Sequence, residues 1–506
     1  MIQADRSTTL IAAVLAATVP GAASASRLAD AAQSVCAGAS SSEQLVSDAL
    51  ARARAHADLN AIITLNEQGA LAAARAIDAG NPQQSCLPLA GVPIVVKDNI
   101  HVAGLPSTAG TPALARFVPH EDAPVVARLR AAGAIILAKT QMHELAFGIS
   151  GYNPAFAAGE TIGVRNAYDR SRVAGGSSSG SGAAIGARIV AAGLGTDTGG
   201  SVRIPCAFNG CASLRPSIER YPADGIAPIS HTRDTAGPMA ATVADVELLD
   251  RVISGAEAAR PAALEGLRLG LVTQMLANND ADTRAVFDRA LARLREAGAI
   301  IVEIDAPDLA DANNAISFPI ALYEARDDMM RYLERYRTGV SIEELAAQAV
   351  SPDVKGTYTG LVIPGKLPGP DNTVVDAKPI YDQAVGQGRA RLQAVYARLF
   401  EQHRVTALVF PTVPIVAMPA GPESSSIQNF GLVIQNTDPG SNAGLPGLQI
   451  PAGLGPASGL PVGLELDGPA GSDRELIAIG MAIEALLGEL LPRRGNPERQ
   501  SAVMGS

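Results

Sequence analysis

The chain has 506 residues, a formal net charge of −10, 47% hydrophobic and 18% charged residues, and no tryptophan. This composition supports a large apolar core and excludes an intrinsically disordered chain. An acidic surface without basic runs excludes nucleic acid and anionic membrane as partners, and aromatic residues at 4% leave little for base stacking.

The chain opens with the apolar stretch "STTLIAAVLAATVPGAASA", broken by Pro20 and Gly21 and ending in small residues at Ala23-Ser24-Ala25. It reads as a signal peptide cleaved after Ala25, which implies export to the periplasm or medium and a mature domain over 26–500. The stretch is too short and too rich in small residues for a membrane span, so the mature form is expected to have none. Ser40 and Glu43 read as a capping box starting a helix. The chain has four cysteines. In an exported chain Cys36 and Cys86, which flank this helical region, are a candidate disulfide. No CxxC occurs, against a zinc ribbon, and Cys206 and Cys211 are expected as packed thiols.

The β-branched run at 89–100 reads as a buried strand ending in polar residues that include Lys97. Residues 121–140 follow as helix, glycine stop and strand, with Asp122 as the expected cap, Gly133 as the stop and Lys139 near the strand's end. The phrase "LRAAGAII" at 129–136 is echoed by "LREAGAII" at 294–301, a second helix–glycine–strand unit. Such units predict an α/β protein with parallel strand pairs. Between them lie two small-residue runs, "VAGGSSSGSG" at 173–182 and "GTDTGGSVRIP" at 195–205. A helix-length apolar segment directly follows the first, so its glycines sit in a loop entering a helix rather than in a linker. Strands are expected at 266–272 and 405–413, a helix at 282–297, and a further helix from Asp473. The Tyr-, charge- and Pro-rich segment 305–400 is a candidate helical lid. No clean domain boundary occurs.

A serine nucleophile needs a base and N–H donors for the oxyanion. None of the six histidines lies in either Gly/Ser run. "HEL" at 143–145 is not H-E-x-x-H, and no Gly-Lys-Ser/Thr follows the glycines as a P-loop requires. A lysine serves as a base only if burial lowers its pKa. Both Lys97 and Lys139 stand at strand ends, and composition does not choose between them.

In this order, "GVPIVVKDNI", "GGSSSGSGAAIGA" and "GLGTDTGGSVRIPCAFNG", with "DTAGPM" at 234–239 and the later "GLPVGLELDG", resemble the amidase signature family over roughly residues 40–490. The resemblance implies a single large α/β domain: a mixed, twisted β-sheet covered by helices on both faces. It implies a Ser–cis-Ser–Lys triad, with Ser201 as nucleophile, Ser177 joined to Gly176 by a cis peptide as bridge, and Lys97 as base. The N–H groups of Thr198, Gly199, Gly200 and Ser201 would form the oxyanion hole. Asp197 and Arg203 are expected as a loop-holding pair, Ser178 and Ser179 as hydrogen-bonding support, and Lys139 as a structural charge. No metal and no cofactor are implied. The partner is a small-molecule amide, and the protein would work as a monomer or homodimer.

Within the family, "STAGTPAL", "MHELAFGISGYN" and "GIAPISHTRDTAGPM" resemble the mandelamide and indoleacetamide hydrolases. That branch implies small arylacetamide-type primary amides, an acyl-enzyme, and carboxylate plus ammonia as products. Aryl acylamidase, urethanase and peptide amidase remain alternatives on the same triad. An amidase subunit of a tRNA-dependent amidotransferase is disfavoured by "HTRDTAGP" and by the leader.

Overall fold

Alternation along one short strand organises the molecule. In Pro93–Lys97 (β2), Ile94 and Val96 point into one apolar cluster and Val95 into another. Successive side chains of a strand face opposite sides of a sheet, so a strand buried along its whole length requires cover on both faces. Helices Pro124–Ala131, Val243–Ser254, Ala281–Glu296 and Asp473–Leu487 supply Val125, Val246, Phe287 and Ile477 to the first cluster. Helices Ser42–Ala55, Glu67–Asp78 and Ser179–Gly186 supply Val46, Ala70 and Ile185 to the second.

The computed structural model describes residues 26–80 and 86–490. The leader reading of 1–25, and the end of the domain beyond 490, lie outside the described residues. The remaining strands are Ile62–Leu65 (β1), Ile135–Thr140 (β3), Ala192–Asp197 (β4), Ala212–Arg215 (β5), Thr235–Ala240 (β6), Arg268–Val272 (β7) and Ile300–Ile304 (β8). They continue with Lys366–Pro368 (β9), Val374–Asp376 (β10), Ala407–Pro411 (β11), Gly447–Leu454 (β12) and Pro461–Asp467 (β13). Eleven of them form one sheet in the order β1-β3-β2-β4-β6-β5-β12-β13-β11-β7-β8, and β9 and β10 form a separate ribbon. β2 runs parallel to both β3 and β4, and β7 parallel to β8 and β11, while the centre is antiparallel. The fold is thus a single α/β domain on a mixed sheet, as the family resemblance implies.

Three local expectations are corrected. The helix expected to start at Ser40 is capped by Ser41, whose side chain accepts from Gln44 N, because the helix begins one residue later. Asp122 does not cap Pro124–Ala131; its carboxylate accepts from Ala103 N and pairs with Arg130 instead, and Pro124 at the first turn removes one donor a cap would have served. Cys206 and Cys211 are not packed thiols. They are bonded to each other across the helix Arg203–Asn209, and Cys36 is bonded to Cys86 as expected.

The segment 305–400 is largely helical and carries its own apolar cluster, with Leu322, Met329, Tyr332, Leu345 and Tyr358 packed against Leu114 and Leu145. No helix among the described residues is long and apolar enough to cross a membrane.

Candidate active site

The C-terminal ends of parallel strands in an α/β sheet carry loops that present side chains and N–H groups to ligands. β2 ends at Lys97, and β4, its parallel neighbour, ends at Asp197 and runs into the second small-residue loop. The first small-residue loop enters the helix Ser179–Gly186, and the peptide bond between Gly176 and Ser177 is cis. The two loops meet: Ser178 N donates to Ser201 O at 3.1 Å. Ser178 Oγ also bridges to β4, donating to Thr196 O at 3.2 Å, and Ser179 Oγ donates to Ser177 O at 3.4 Å. The two small-residue runs are two walls of one place.

Lys97 is wholly buried. Its Nζ donates to Ser177 Oγ and to Thr196 Oγ1, each at 2.7 Å. It has no ion-pair partner among the described residues. Burial pushes its pKa down to about 7, against the weaker pull of Asp197 and Asp234 in the other direction. Half of such a population is neutral near pH 7, and a neutral amine hydrogen-bonded to a serine can take its proton. Lys139, equally buried, is different. Its Nζ lies 3.2 Å from Asp98 Oδ1 and donates to Ser107 Oγ at 2.8 Å and to Pro106 O at 3.1 Å. Geometry therefore separates the two lysines that composition did not.

Asp197 is the hub of the loop that carries Ser201. Arg203 grips it with Nε to Oδ2 at 3.1 Å and Nη2 to Oδ1 at 3.0 Å, and Arg215 adds Nη1 to Oδ1 at 3.0 Å. Its oxygens also accept from Gly200 N at 2.9 Å and Val202 N at 3.1 Å. Burial alone would raise this carboxyl; the two arginines reverse that and hold it below the usual carboxylate range. Burial likewise pulls Arg203 down, but Asp197 and Glu465 more than restore it, so it stays charged. The pair expected from sequence is half of a larger network that also takes in Arg215 and Glu465.

One predicted donor is corrected. The Gly200 N–H is spent on Asp197, and Gly200 does not line the cavity described next. Thr198, Gly199 and Ser201 do line it, and their N–H groups carry no acceptor among the described residues. Gly200 matters as backbone instead. Its φ is +132°, and a Cβ there would lie 2.2 Å from Thr437 Oγ1.

The cavity has a volume of about 550 Å³ and opens beside Ser201. Ile149, Ile204 and Ile229 form its inner wall, Phe318 and Leu322 reach it from the 305–400 segment, and Ile427 and Phe430 stand toward its mouth. Such an apolar chamber with a few convergent polar groups fits a small, largely hydrophobic ligand. Its charged lining residues are Arg233, Asp353 and Asp438. Sequence reasoning missed Thr196, Arg215, Arg233 and Asp438. Arg233 stood within a quoted motif, but nothing in its spacing pointed to Asp438, whose Oδ1 accepts from its Nη2 at 2.6 Å. Elsewhere, His231, Glu324 and Asp328 place their ligand-type atoms within 4.8 Å of one another. These groups are already engaged, Glu324 by Ser230 and Thr232 and Asp328 by His231 and Arg331.

A family model described as Amidase matches residues 44–477. The chain is 46% identical to mandelamide hydrolase of Pseudomonas putida over 452 residues, 88% of each chain. It is 41% identical to indoleacetamide hydrolase of Agrobacterium vitis over 450 residues, 87% of this chain and 92% of the relative. It also resembles the solved peptide amidase of Stenotrophomonas maltophilia, with a TM-score of 0.77 and 29% identity, covering 93% of this chain and 98% of that one.

Proposed function

The chain belongs to the amidase signature family and hydrolyses amide C–N bonds, and we propose that its substrates are small arylacetamide-type primary amides, cleaved by Ser201, Ser177 and Lys97. Ser201 Oγ attacks the amide carbon as its proton passes to Ser177, whose own proton passes to neutral Lys97. The tetrahedral oxyanion is met by the N–H groups of Thr198, Gly199 and Ser201. Collapse breaks the C–N bond, and the proton on Lys97 returns through Ser177 to the leaving nitrogen, releasing ammonia. Water then attacks the acyl-Ser201 ester along the same relay, and the carboxylate departs. The observation that carries this reading is the buried Lys97–Ser177 hydrogen bond of 2.7 Å, formed by a lysine without an ion-pair partner. The two arylacetamide-type relatives and the apolar chamber support the substrate class.

The test is ammonia release by the purified protein on mandelamide, phenylacetamide, indole-3-acetamide, an anilide and an amidated dipeptide, with Ser201→Ala alongside. The arylacetamides are expected to turn over, and the variant to be silent on them. Turnover of the anilide or the dipeptide amide alone would remove the substrate class and keep the triad.

Export belongs to the same proposal. Its support is the apolar leader and the bonding of all four cysteines in two pairs, which suits an oxidising compartment. The mature protein is expected to begin at Ser26, whose side chain already caps the first helix by accepting from Ala29 N. N-terminal sequencing of protein recovered from the producing cell checks this, and a chain that still begins at Met1 refutes it.

A further inference from the structure

One charged pair in the cavity wall has no part in the chemistry above. Arg233 and Asp438 are both nearly wholly buried, and both line the chamber beside Ser201. Arg233 Nη2 donates to Asp438 Oδ1 at 2.6 Å, and Arg233 Nη1 donates to Ser317 O at 3.0 Å. Asp438 Oδ2 is saturated by the amides of Asn313 and Asn442, each at 2.9 Å. Two capacities are left over. Arg233 Nη2, the guanidinium nitrogen beside Gly199, gives one N–H to Asp438 and has a second N–H without an acceptor among the described residues. Asp438 Oδ1 accepts from Arg233 alone, so one lone pair of that oxygen is unused.

The position of the pair says which part of a substrate it meets. A Cβ built on Gly199 would lie 2.9 Å from Asp438 Oδ1 and 3.3 Å from Arg233 Nη2. The pair is therefore packed against the loop that meets the carbonyl oxygen. The leaving nitrogen must face Ser177, which is buried behind the loop and does not line the chamber. What lies in the chamber next to the carbonyl is the acyl half, and the atom closest to the pair is the carbon bonded to the carbonyl. A buried ion pair in an apolar wall adds little to stability against hydrophobic replacements. A donor and an acceptor side by side there suit a ligand group that both gives and takes one hydrogen bond without carrying charge. A hydroxyl is that group.

We propose that Arg233 and Asp438 form a subsite for a hydroxyl on the carbon next to the scissile carbonyl, making them specificity-determining residues for 2-hydroxy arylacetamides. The proposal rests on the arylacetamide reading of the site. The hydroxyl donates to Asp438 Oδ1 and accepts from the Arg233 guanidinium. A methyl at that carbon uses neither the spare N–H nor the spare lone pair of the pair, a methoxy leaves the Asp438 lone pair unused, and an ammonium meets the Arg233 charge. Sites built to hydrogen-bond a hydroxyl reject analogues that lack it more strongly than apolar pockets reject a missing methylene.

The experiment measures kcat/KM for 2-hydroxy-2-phenylacetamide, phenylacetamide, 2-phenylpropanamide, 2-methoxy-2-phenylacetamide and 2-amino-2-phenylacetamide, on the wild type, Asp438→Asn and Arg233→Lys. The wild type is expected to prefer the hydroxy over the methyl and methoxy compounds by at least about tenfold. In Asp438→Asn and Arg233→Lys that ratio is expected to fall below about threefold, with the loss concentrated on the hydroxy compound. A wild-type ratio near one overturns the proposal, as does a preference for the amino compound, or a variant that slows all five amides by one common factor. Where a variant fails to fold, the wild-type series decides alone. Turnover of none of the five overturns the arylacetamide reading and the subsite with it, whereas turnover without discrimination overturns only the subsite.

Discussion

Lys97 and Lys139 lie on neighbouring parallel strands, in register one residue apart, both wholly buried, yet only Lys139 has a carboxylate against it. Burial penalises both ammonium groups. At Lys139 burial still lowers the pKa, with Asp98 opposing part of that effect, and at Lys97, with no carboxylate in contact, burial takes the pKa down to about 7. One strand end thus sets its amine against a carboxylate, and its neighbour sets it against two hydroxyls.

Activity is expected to depend on the neutral form of Lys97. Log kcat/KM should fall with unit slope as pH drops through about 7. A profile flat from pH 8 to pH 5 would refute this role. Linkage gives a second readout. The folded pKa of Lys97 is below the ordinary lysine value of 10.5, so between about 7 and 10.5 the unfolded chain binds the extra proton, and this group's contribution to stability rises with pH across that window. Below 7 the penalty is fully present. Lys97→Met should therefore be inactive yet more stable at pH 6, by about 1–3 kcal/mol in denaturant titration. A destabilised Met variant at that pH would contradict the pKa.

Ser201→Ala should lower kcat about ten-thousand-fold, and Ser177→Ala about a hundred- to ten-thousand-fold. The double variant should be no worse than Ser201→Ala, because the relay has no function without its nucleophile. Losses that simply multiply would mean that the two serines act independently. Quenched-flow measurements with mass spectrometry of the intact protein should trap an acyl group on Ser201 and not on Ser177.

Asp197→Asn should destabilise the fold by about 3–5 kcal/mol, since it leaves Arg215 buried without a carboxylate partner and Arg203 with Glu465 alone. It should also lower kcat, because an amide NH2 replaces one of the two oxygens that accept from Gly200 N and Val202 N and shape the loop around Ser201. Gly200→Ala should do the second without the charge effect, through its positive φ and the close approach of Thr437. Chemical denaturation and steady-state kinetics on both variants check this. An Asp197→Asn protein as stable as the wild type would show that the network contributes nothing.

No cysteine should react with a thiol reagent in the unreduced, unfolded protein, and all four should react after reduction. Peptide mapping without reduction should recover Cys36 linked to Cys86 and Cys206 linked to Cys211. Free thiol at Cys206 or Cys211 in freshly purified protein would contradict that pairing.

The parts of this molecule that are legible in its sequence are those written in contiguous residues. The continuous β-branched run that holds Pro93–Lys97 announces a buried strand, and the apolar segment after Gly182 shows that the serine-rich run enters a helix. The choice of Lys97 over Lys139 came from family resemblance, because its physical reason is Asp98 on one side and its absence on the other. Contacts between distant stretches left no trace. Arg233 and Asp438 are 205 residues apart, and Arg203 reaches Glu465 across 262. The Gly200 N–H was counted as a free donor because its acceptor, Asp197, was read only as the partner of an arginine. The sequence around Cys206 and Cys211 shows no base and so reads as packing, whereas the end of a seven-residue helix after Cys206 turns the chain back and brings their Cα atoms to 4.5 Å.

The division of labour along the chain has an evolutionary consequence. Lys97, Ser177, Thr198 and Ser201 all come from the first part of the domain, on and beside β2 and β4, while Phe318, Leu322, Asp353, Phe430 and Asp438 reach the chamber from later segments. Substitutions confined to chamber-facing side chains of the later wall, sparing Thr437, which donates to Gly199 O, leave Lys97, Ser177 and Ser201 untouched. Selection can thus retune which ligands enter while Lys97, Ser177 and Ser201 are inherited unchanged, and a breeder of new variants would randomise residues 317–361 and 425–434 first.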